Sequence, residues 1–154
     1  MKNIKNSSKD KNETAYFGMG CFWGPDDFFS KLKGAIETTV GYSGGDKIDP
    51  NYHDLGDHTE TIKIEFDPNI VSYKQLLGYF FKKHDPGFET KTQYRSVIFY
   101  INDEQKKEAQ EALINYNKKY GKKALTKIEK LKKFYRAEEY HQKYFQKNNV
   151  KGIC

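Results

Sequence analysis

The sequence predicts an α+β fold: a split βαβ, ferredoxin-like mixed sheet covered by helices and followed by an extended C-terminal segment. Up to residue 101, stretches with a two-residue apolar period and stretches with a helical period follow in the order strand, helix, strand, strand, helix, strand. Right-handed crossovers place the first of these strands between the third and the fourth, antiparallel to both. The length of 154 residues suits a single domain with a substantial core.

The first half of the pattern follows a polar stretch, residues 1–13, which is predicted to be disordered because it holds almost no apolar side chains. Residues 14–18 predict a strand that leads into a glycine-rich turn. Residues 25–33 predict a helix, since proline suits a first turn and the apolar side chains recur at helical spacing. Residues 35–42 alternate as a strand does, with Ile36, Val40 and Tyr42 on one parity.

The second half contains the clearest strand, residues 59–66, and a capping box at Ser72 and Gln75 that opens a helix ending at Lys83. A single domain is expected over residues 14–147, followed by a mobile arm at residues 148–154. The remaining predicted elements are a central strand at 95–101, a helix at 103–120 between Asn102 and Gly121, a strand at 126–130 and a helix at 137–147.

Composition argues against several classes of function. The net charge of +6 comes from lysines that are scattered or lie in the C-terminal half, and no stripe alternates basic with aromatic residues, so nucleic acid is not an expected partner. No apolar run reaches the length of a membrane span, and residues 1–12 hold no apolar secretory segment. We therefore expect a cytoplasmic protein, in whose reducing environment two cysteines serve catalysis more often than a structural bridge.

The chain is organised around Gly20-Cys21-Phe22-Trp23-Gly24, which holds the only tryptophan and one of only two cysteines. The glycines allow a ligand to approach the backbone closely, and the two aromatic rings can form an apolar wall beside the sulfur. A cysteine just before a helix N-terminus is favoured as a reactive thiolate. The alternative is an inert cysteine buried in an aromatic cluster.

Glu60 has the same parity as the three apolar residues of its strand, so its carboxyl group is predicted to lie on the buried side of the sheet. Desolvation raises the pKa of such a group and makes it a proton donor near neutral pH. The alternative is a residue at a frayed strand end that reaches solvent. The predicted topology brings Glu60 to the same sheet edge as Cys21 and the loops at residues 43–58 and 84–94.

Cys154, the second cysteine, is the last residue and follows a polar, glycine-containing segment. It is either a resolving cysteine that attacks an oxidised Cys21 or an incidental exposed thiol.

Two other classes of function remain open. A Cys-His hydrolase or transferase would take its base from His53, His58, His84 or His141. A basic nucleic-acid-binding module would bind single strands through exposed rings on its sheet. No metal site is expected, because the histidines near Asp57 lie on no regular element and Cys21 has no CxxC partner.

Several short motifs, in order along residues 16–142, resemble the peptide methionine sulfoxide reductase A family. The most specific are GCFWG at residues 20–24 and TQYRS at residues 92–96. The others are GYSGG at 41–45, PNY at 50–52, GDHTE at 56–60, HDP at 84–86 and AEEYHQ at 137–142.

This resemblance implies reduction of the S epimer of methionine sulfoxide, free or peptide-bound. Cys21 would attack the sulfoxide sulfur, and Glu60 would protonate the departing oxygen. Phe22 and Trp23 would hold the methyl group of the substrate. Tyr52 and Tyr94 would bind the sulfoxide oxygen.

The resemblance also implies a recycling route. Cys21 would become a sulfenic acid and then form a disulfide with Cys154, which thioredoxin would reduce without any metal or organic cofactor. Glu89 stands where the family commonly has an aspartate before Tyr94, and it is expected to contribute to substrate binding. Pro25 replaces a usual aliphatic residue, which shifts the expected start of the first helix towards Gly24.

Overall fold

A computed structural model of the chain describes residues 11–121 and 123–149. Among these residues, no helix is both long and apolar enough to cross a membrane. The predictions for residues 1–10 and for residues 150–154, which include Cys154, concern residues outside this described part. The strands are β1 (Glu13–Met19), β2 (Ala35–Ser43), β3 (Thr59–Phe66), β4 (Ser96–Tyr100), β5 (Lys127–Lys130) and β6 (Phe134–Arg136), and the helices are α1 (Trp23–Ser30), α2 (Tyr73–Lys82), α3 (Asp103–Tyr120) and α4 (Tyr144–Lys147), with 3₁₀ turns at Thr92–Tyr94 and Glu139–His141.

The described strands form one sheet in the order β5-β4-β1-β3-β2-β6. Strand β1 lies between β3 and β4 and is antiparallel to both, which confirms the predicted ferredoxin-like arrangement. The β4–β5 pair is parallel, and the remaining pairs are antiparallel. Met19 at the end of β1 pairs with Ser96 at the start of β4, and Ser43 at the end of β2 pairs with Thr59 at the start of β3. The four strands therefore have these ends on the same side of the sheet.

Strand β3 occupies the predicted residues, with Ile62, Ile64 and Phe66 at most 1% exposed. Strand β2 is present as predicted, but its alternation is interrupted at Ile36, whose side chain is 53% exposed. The register between β2 and β3 shifts between Ala35 and Glu37, so Ile36 is the extra residue of a β-bulge and does not point towards the core.

The core contains many aromatic rings. Phe17 on β1 is fully buried and packs against Phe29 of α1 and Phe80 of α2, with ring centroids 6.1 and 5.0 Å apart. The helices α1 and α2 are thereby fixed against the central strand of the sheet.

Capping residues in the sequence predict the ends of the helices to within about two residues. The capping box of α2 is formed by Ser72 and Gln75, and Asn102 caps α3, which ends at Gly121 with a φ of 62°. Helix α1 begins two residues before the predicted Pro25, which lies in the first turn, where a missing backbone N–H costs no helical hydrogen bond.

The predicted helix over residues 137–147 is wrong. Only α4 and one 3₁₀ turn form there, because Lys143 takes a left-handed conformation with a φ of 53°. Long-range hydrogen bonds replace the helical ones: the backbone N–H of Lys143 donates to the buried carboxylate of Asp26 (2.7 Å), and the side chain of Gln142 bonds both backbone groups of Val40 (2.9 Å each).

Candidate active site

Cys21 lies in the turn between β1 and α1, two residues before the helix begins, as predicted. The turn depends on Gly20, whose φ of 93° lies in the left-handed region that favours glycine. Cys21 is half-buried and disulfide-bonded, so this geometry of the turn is that of an oxidised form. In the reduced protein, the nearby helix N-terminus would favour a thiolate at this position.

Glu60 is buried beside this turn, with only 1% of its surface exposed. The backbone N–H of Phe22, the residue after Cys21, donates to Oε1 of Glu60 over 3.0 Å. Burial raises the pKa of the Glu60 carboxyl above its ordinary value, while the hydrogen bonds from Gln93 and Phe22 oppose this increase. The position of the carboxyl next to Cys21 and its raised pKa are both suited to proton donation.

The other carboxyl oxygen of Glu60 has a partner that the sequence reasoning did not assign. Nε2 of Gln93 donates to Oε2 of Glu60 over 2.6 Å. Gln93 is part of the TQYRS motif, but the motif does not indicate that Gln93 binds Glu60. The hydrogen bond forms because the 3₁₀ turn that contains Gln93 lies against β3.

Two tyrosines lie next to this acid. Burial raises the pKa of Tyr94 to about 12, and the charges of the neighbouring Glu60 and Tyr52 side chains add to this increase. Both predicted oxygen-binding residues are therefore brought together, and Tyr94 remains a neutral hydrogen-bond donor at ordinary pH.

Tyr52 is held in place by a carboxylate from the C-terminal part of the chain. Glu138 accepts a hydrogen bond from the backbone N–H of Tyr52 at Oε2 (2.9 Å) and one from the hydroxyl of Tyr42 at Oε1 (2.8 Å). This bridge ties the backbone of Tyr52 to the C-terminal part of the chain.

An aromatic wall stands on the other side of the turn. The indole of Trp23 stacks on Tyr144 at 3.7 Å with an interplanar angle of 5°, and its Nε1–H donates to Nδ1 of His141 over 3.0 Å. His141 also lies between the rings of Phe22 and Tyr52, at 5.2 and 4.7 Å. The indole is thus fixed in both position and orientation, a role of His141 and Tyr144 that sequence reasoning missed.

Three of the four candidate histidines do not support hydrolase chemistry, and the fourth, His53, is exposed. Gly45 donates to Nδ1 of His58, whose Nε2 contacts the carbonyl of Lys47 (2.7 Å). His84 uses one nitrogen on the carbonyl of Phe80 and the other on the hydroxyl of Ser96. Since Nδ1 of His141 already accepts from the indole of Trp23, none of these three rings has a free lone pair to act as a base.

The remaining alternatives gain no support either. Within the described part of the chain, no cluster of three or more metal-ligating side chains occurs. Among the described residues, the exposed aromatic side chains are Phe88, Tyr120 and Tyr140, and none of them lies on a strand. The rings of Tyr16 and Phe134 on the sheet are only half-exposed and pack against each other at 5.5 Å.

Glu89 lies apart from the groups described above. It is exposed and lines a separate cavity of about 700 Å³ together with Phe88 and Arg95. The prediction that Glu89 binds substrate therefore gains no support from its position.

Similarity to known proteins extends over nearly the whole chain. The family described as peptide methionine sulfoxide reductase matches residues 13–154. The chain is 45% identical over 145 residues to a "Peptide methionine sulfoxide reductase MsrA" from Pelagibacter ubique, and the alignment covers 88% of this chain and 99% of that protein.

Solved structures share the fold. Mxr1 from Saccharomyces cerevisiae in its reduced form has a TM-score of 0.87 and 30% identity, over 94% of this chain and 90% of that chain. Mxr1 in complex with Trx2 has a TM-score of 0.67 and 26% identity, over 87% and 85% of the two chains. Because sequence and fold agree over most of its length, the chain belongs to the peptide methionine sulfoxide reductase family and is an oxidoreductase that reduces methionine sulfoxide.

Proposed function

We propose that Cys21 reduces the S epimer of methionine sulfoxide with Glu60 as the proton donor. The thiolate of Cys21 attacks the sulfoxide sulfur, and Glu60 protonates the oxygen, which is transferred to Cys21. The products are methionine and a Cys21 sulfenic acid, so the substrate sulfur is reduced and the cysteine sulfur is oxidised. The observation that carries this proposal is the hydrogen bond of 3.0 Å from the backbone of Phe22 to the buried carboxyl of Glu60.

Substrate binding divides between two walls of the site. The fixed rings of Phe22 and Trp23 hold the apolar methyl group, which explains why the indole has both a stacking partner and a hydrogen-bond partner. The hydroxyls of Tyr52 and Tyr94, which lie close to Glu60, donate to the sulfoxide oxygen on the side where Glu60 delivers its proton. A fixed arrangement of methyl group and oxygen around the sulfur selects one epimer.

Cys154 completes the catalytic cycle. Its thiolate attacks the sulfur of the Cys21 sulfenic acid, the S–O bond breaks, and water leaves as the disulfide forms. Two observations support this step: the chain has only two cysteines, and Cys21 is disulfide-bonded. Residues 14–147 then form the catalytic domain, and residues 148–154 are the arm that carries the resolving thiol.

Thioredoxin is the proposed reductant of this disulfide, supported by the similar structure of Mxr1 in complex with Trx2. Oxidised proteins or peptides that carry methionine sulfoxide are the proposed substrates. These steps use no metal or organic cofactor, and they suit the reducing cytoplasm that the sequence led us to expect.

The test is turnover of the two sulfoxide epimers with dithiothreitol as the reductant. The wild type should reduce the S epimer and leave the R epimer unchanged, and Cys21→Ser should reduce neither. Cys154→Ser is the matched control, because dithiothreitol can reduce a sulfenic acid directly and turnover should persist. Reduction of both epimers, or turnover by Cys21→Ser, would contradict the proposal.

A further inference from the structure

The 3₁₀ turn Thr92–Tyr94 carries two groups of the site, the amide of Gln93 and the hydroxyl of Tyr94. The turn itself is weak: it has three residues, none of them is buried, and no side chain of the described residues caps its start. A single 3₁₀ turn has poor hydrogen-bond geometry. The position of both groups is therefore determined by the structure to which the turn is attached.

Arg95, directly after the turn, attaches it to two strands. Its Nη1 and Nη2 donate to the two carboxylate oxygens of Glu129 on β5, over 2.7 and 3.0 Å. Its Nε donates to the hydroxyl of Thr59 on β3 over 2.7 Å. Charge-assisted bonds to both carboxylate oxygens fix the orientation of a guanidinium group as well as its position. Arg95, Thr59 and Glu129 thus form a clamp that joins the turn to β3 and β5.

The space around the guanidinium group of the clamp is tight. A Cβ atom at Gly44, whose φ is 92°, would lie 2.6 Å from Nη2 of Arg95 and 2.9 Å from the ring of Phe99. The guanidinium carbon lies 5.8 Å from the centre of that ring. Gly44 and Phe99 therefore pack closely around the planar group, and a lysine side chain would not reproduce its three hydrogen bonds.

Two adjacent residues of β3 are bonded to two adjacent residues of the turn. Thr59, which is fully buried, donates to the carbonyl of Thr92 over 2.9 Å. Glu60, the next residue of β3, accepts the bond of 2.6 Å from Gln93. The clamp therefore holds the turn directly beside the residue that binds the proposed acid.

We propose that Gln93 is a positioning residue for the catalytic acid and that the clamp keeps Gln93 in place. The amide of Gln93 orients the carboxyl group of Glu60, and the ion pair of Arg95 with Glu129 acts on the reaction through the turn. The inference rests on the proposed function, because Glu60 is the proton donor proposed above. A purely structural clamp would stabilise the sheet and leave the acid unaffected.

The hydrogen bond from Gln93 has an effect on the acid that can be measured. Burial raises the pKa of the Glu60 carboxyl, and the bonds from Gln93 and from the backbone of Phe22 lower it. Loss of the Gln93 bond should therefore raise this pKa further. Because the reaction needs the protonated acid, the first-turnover rate should then begin to fall only at a higher pH.

The other titratable groups that face Glu60 do not produce this effect. Tyr42 on β2 and Tyr94 on the turn both interact electrostatically with Glu60, and burial raises the pKa of Tyr94 to about 12 and that of Tyr42 as well. Both hydroxyls therefore stay neutral near neutral pH. Cys21 reacts as a thiolate, so its titration makes the rate rise with pH. The fall of the rate at higher pH thus reports on Glu60.

The experiment is the pH profile of methionine formation in the first turnover of the reduced protein with methionine S-sulfoxide. Gln93→Met keeps the length of the side chain and removes its N–H donor, and Gln110→Met makes the same change at an exposed position of α3. Glu129→Gln removes the negative charge of the clamp. Its matched control is Glu65→Gln, since the two side chains are 39% and 38% exposed and each is paired with a basic side chain.

Gln93→Met should slow the rate about tenfold relative to its control at pH values below the fall, because the acid is no longer held in place. Glu129→Gln should slow it about threefold, because the turn is loosened but Gln93 is retained. Both variants should move the fall to higher pH. Because the clamp acts through Gln93, the double variant should have the same midpoint of that fall as Gln93→Met alone. Urea denaturation checks that each variant is folded.

The outcomes separate the two proposals. No methionine from the wild type, or a wild-type rate that does not fall at high pH, would show that the proposed function itself fails. If the wild type shows the fall but Gln93→Met keeps the midpoint of its control, the role of Gln93 is overturned even when the rate is lower, since a structural defect alone would give that result. If Glu129→Gln leaves the midpoint of the wild type unchanged, or shifts that of Gln93→Met equally, the role of the clamp is overturned.

Discussion

Replacement of Glu60 by glutamine is the most informative perturbation of the proposed chemistry. The amide keeps the shape of the side chain but has no acidic proton. Its oxygen can still accept the hydrogen bond from the N–H of Phe22, which measures 3.0 Å to Oε1 of Glu60 in the wild type. General acid catalysis contributes about 10²–10⁴-fold to a rate. Because the hydroxyl of Tyr94 still stabilises the oxygen, we expect a loss near the lower end, about 100-fold, or about 2.7 kcal/mol of barrier.

The assay is a rapid-quench measurement of methionine formed in the first turnover, which isolates this step from recycling. Glu65→Gln is the matched control, because it makes the same chemical change on the opposite face of the same strand. The control should match the wild type. A first-turnover rate for Glu60→Gln within about twofold of the control would refute the assignment of Glu60 as the acid.

The pH dependence of the first-turnover rate should differ between the wild type and Glu60→Gln. Burial raises the pKa of Glu60, so the folded protein holds this proton more tightly than the unfolded chain does. The first-turnover rate that depends on this proton should therefore fall as pH rises through the folded-state pKa, and Glu60→Gln should lack that decrease.

The contribution of Glu60 to the free energy of unfolding should also decrease as pH rises. The contribution of the neutral Glu60 carboxyl is fully present below the unfolded-state pKa and is lost as pH rises through the raised folded-state pKa. In urea denaturation, Glu60→Gln should therefore gain free energy of unfolding relative to the wild type as pH increases. A difference that does not change with pH would contradict a raised pKa.

Three further variants test other parts of the site. Tyr94→Phe removes a hydroxyl that stays protonated up to a pKa of about 12, and first-turnover methionine formation should slow about tenfold; an unchanged rate would exclude a bond to the oxygen. Tyr144→Ala removes the ring stacked on Trp23 at 3.7 Å, which should raise the KM for methionine sulfoxide about fivefold with kcat nearly unchanged, and an equal loss of kcat would argue against a role in substrate binding. Asp26→Ala leaves the hydroxyl of Thr38 and the N–H of Lys143 without their acceptor, so urea denaturation should show a loss of about 3 kcal/mol, and a loss below about 1 kcal/mol would contradict this.

The parts of the fold that follow from local sequence were predictable. Alternation placed β3 at residues 59–66 and Glu60 on its buried face, and caps such as Ser72 and Asn102 fixed helix starts, because both signals act between residues close in the chain. Right-handed crossovers then determined the order of the four core strands.

The parts that depend on distant residues were not predictable from spacing. The left-handed backbone of Lys143 is held by Asp26, which is 117 positions away in the chain, and helical periodicity contains no trace of this contact. The bulge at Ile36 likewise appears only when β2 pairs with β3. The hydrogen bond from Gln93 to Glu60 belongs to the same class, since it requires a loop to meet a strand edge.

The central claim is that the oxygen of methionine S-sulfoxide is transferred to Cys21, and its most direct test uses Cys154→Ser with one turnover of substrate and no reductant. Without the second thiol, the sulfenic acid should persist and be trapped by dimedone. We predict one methionine per chain and a dimedone adduct at Cys21 in the digested protein. Methionine formed without an adduct at Cys21, or no methionine from the S epimer, would contradict the account.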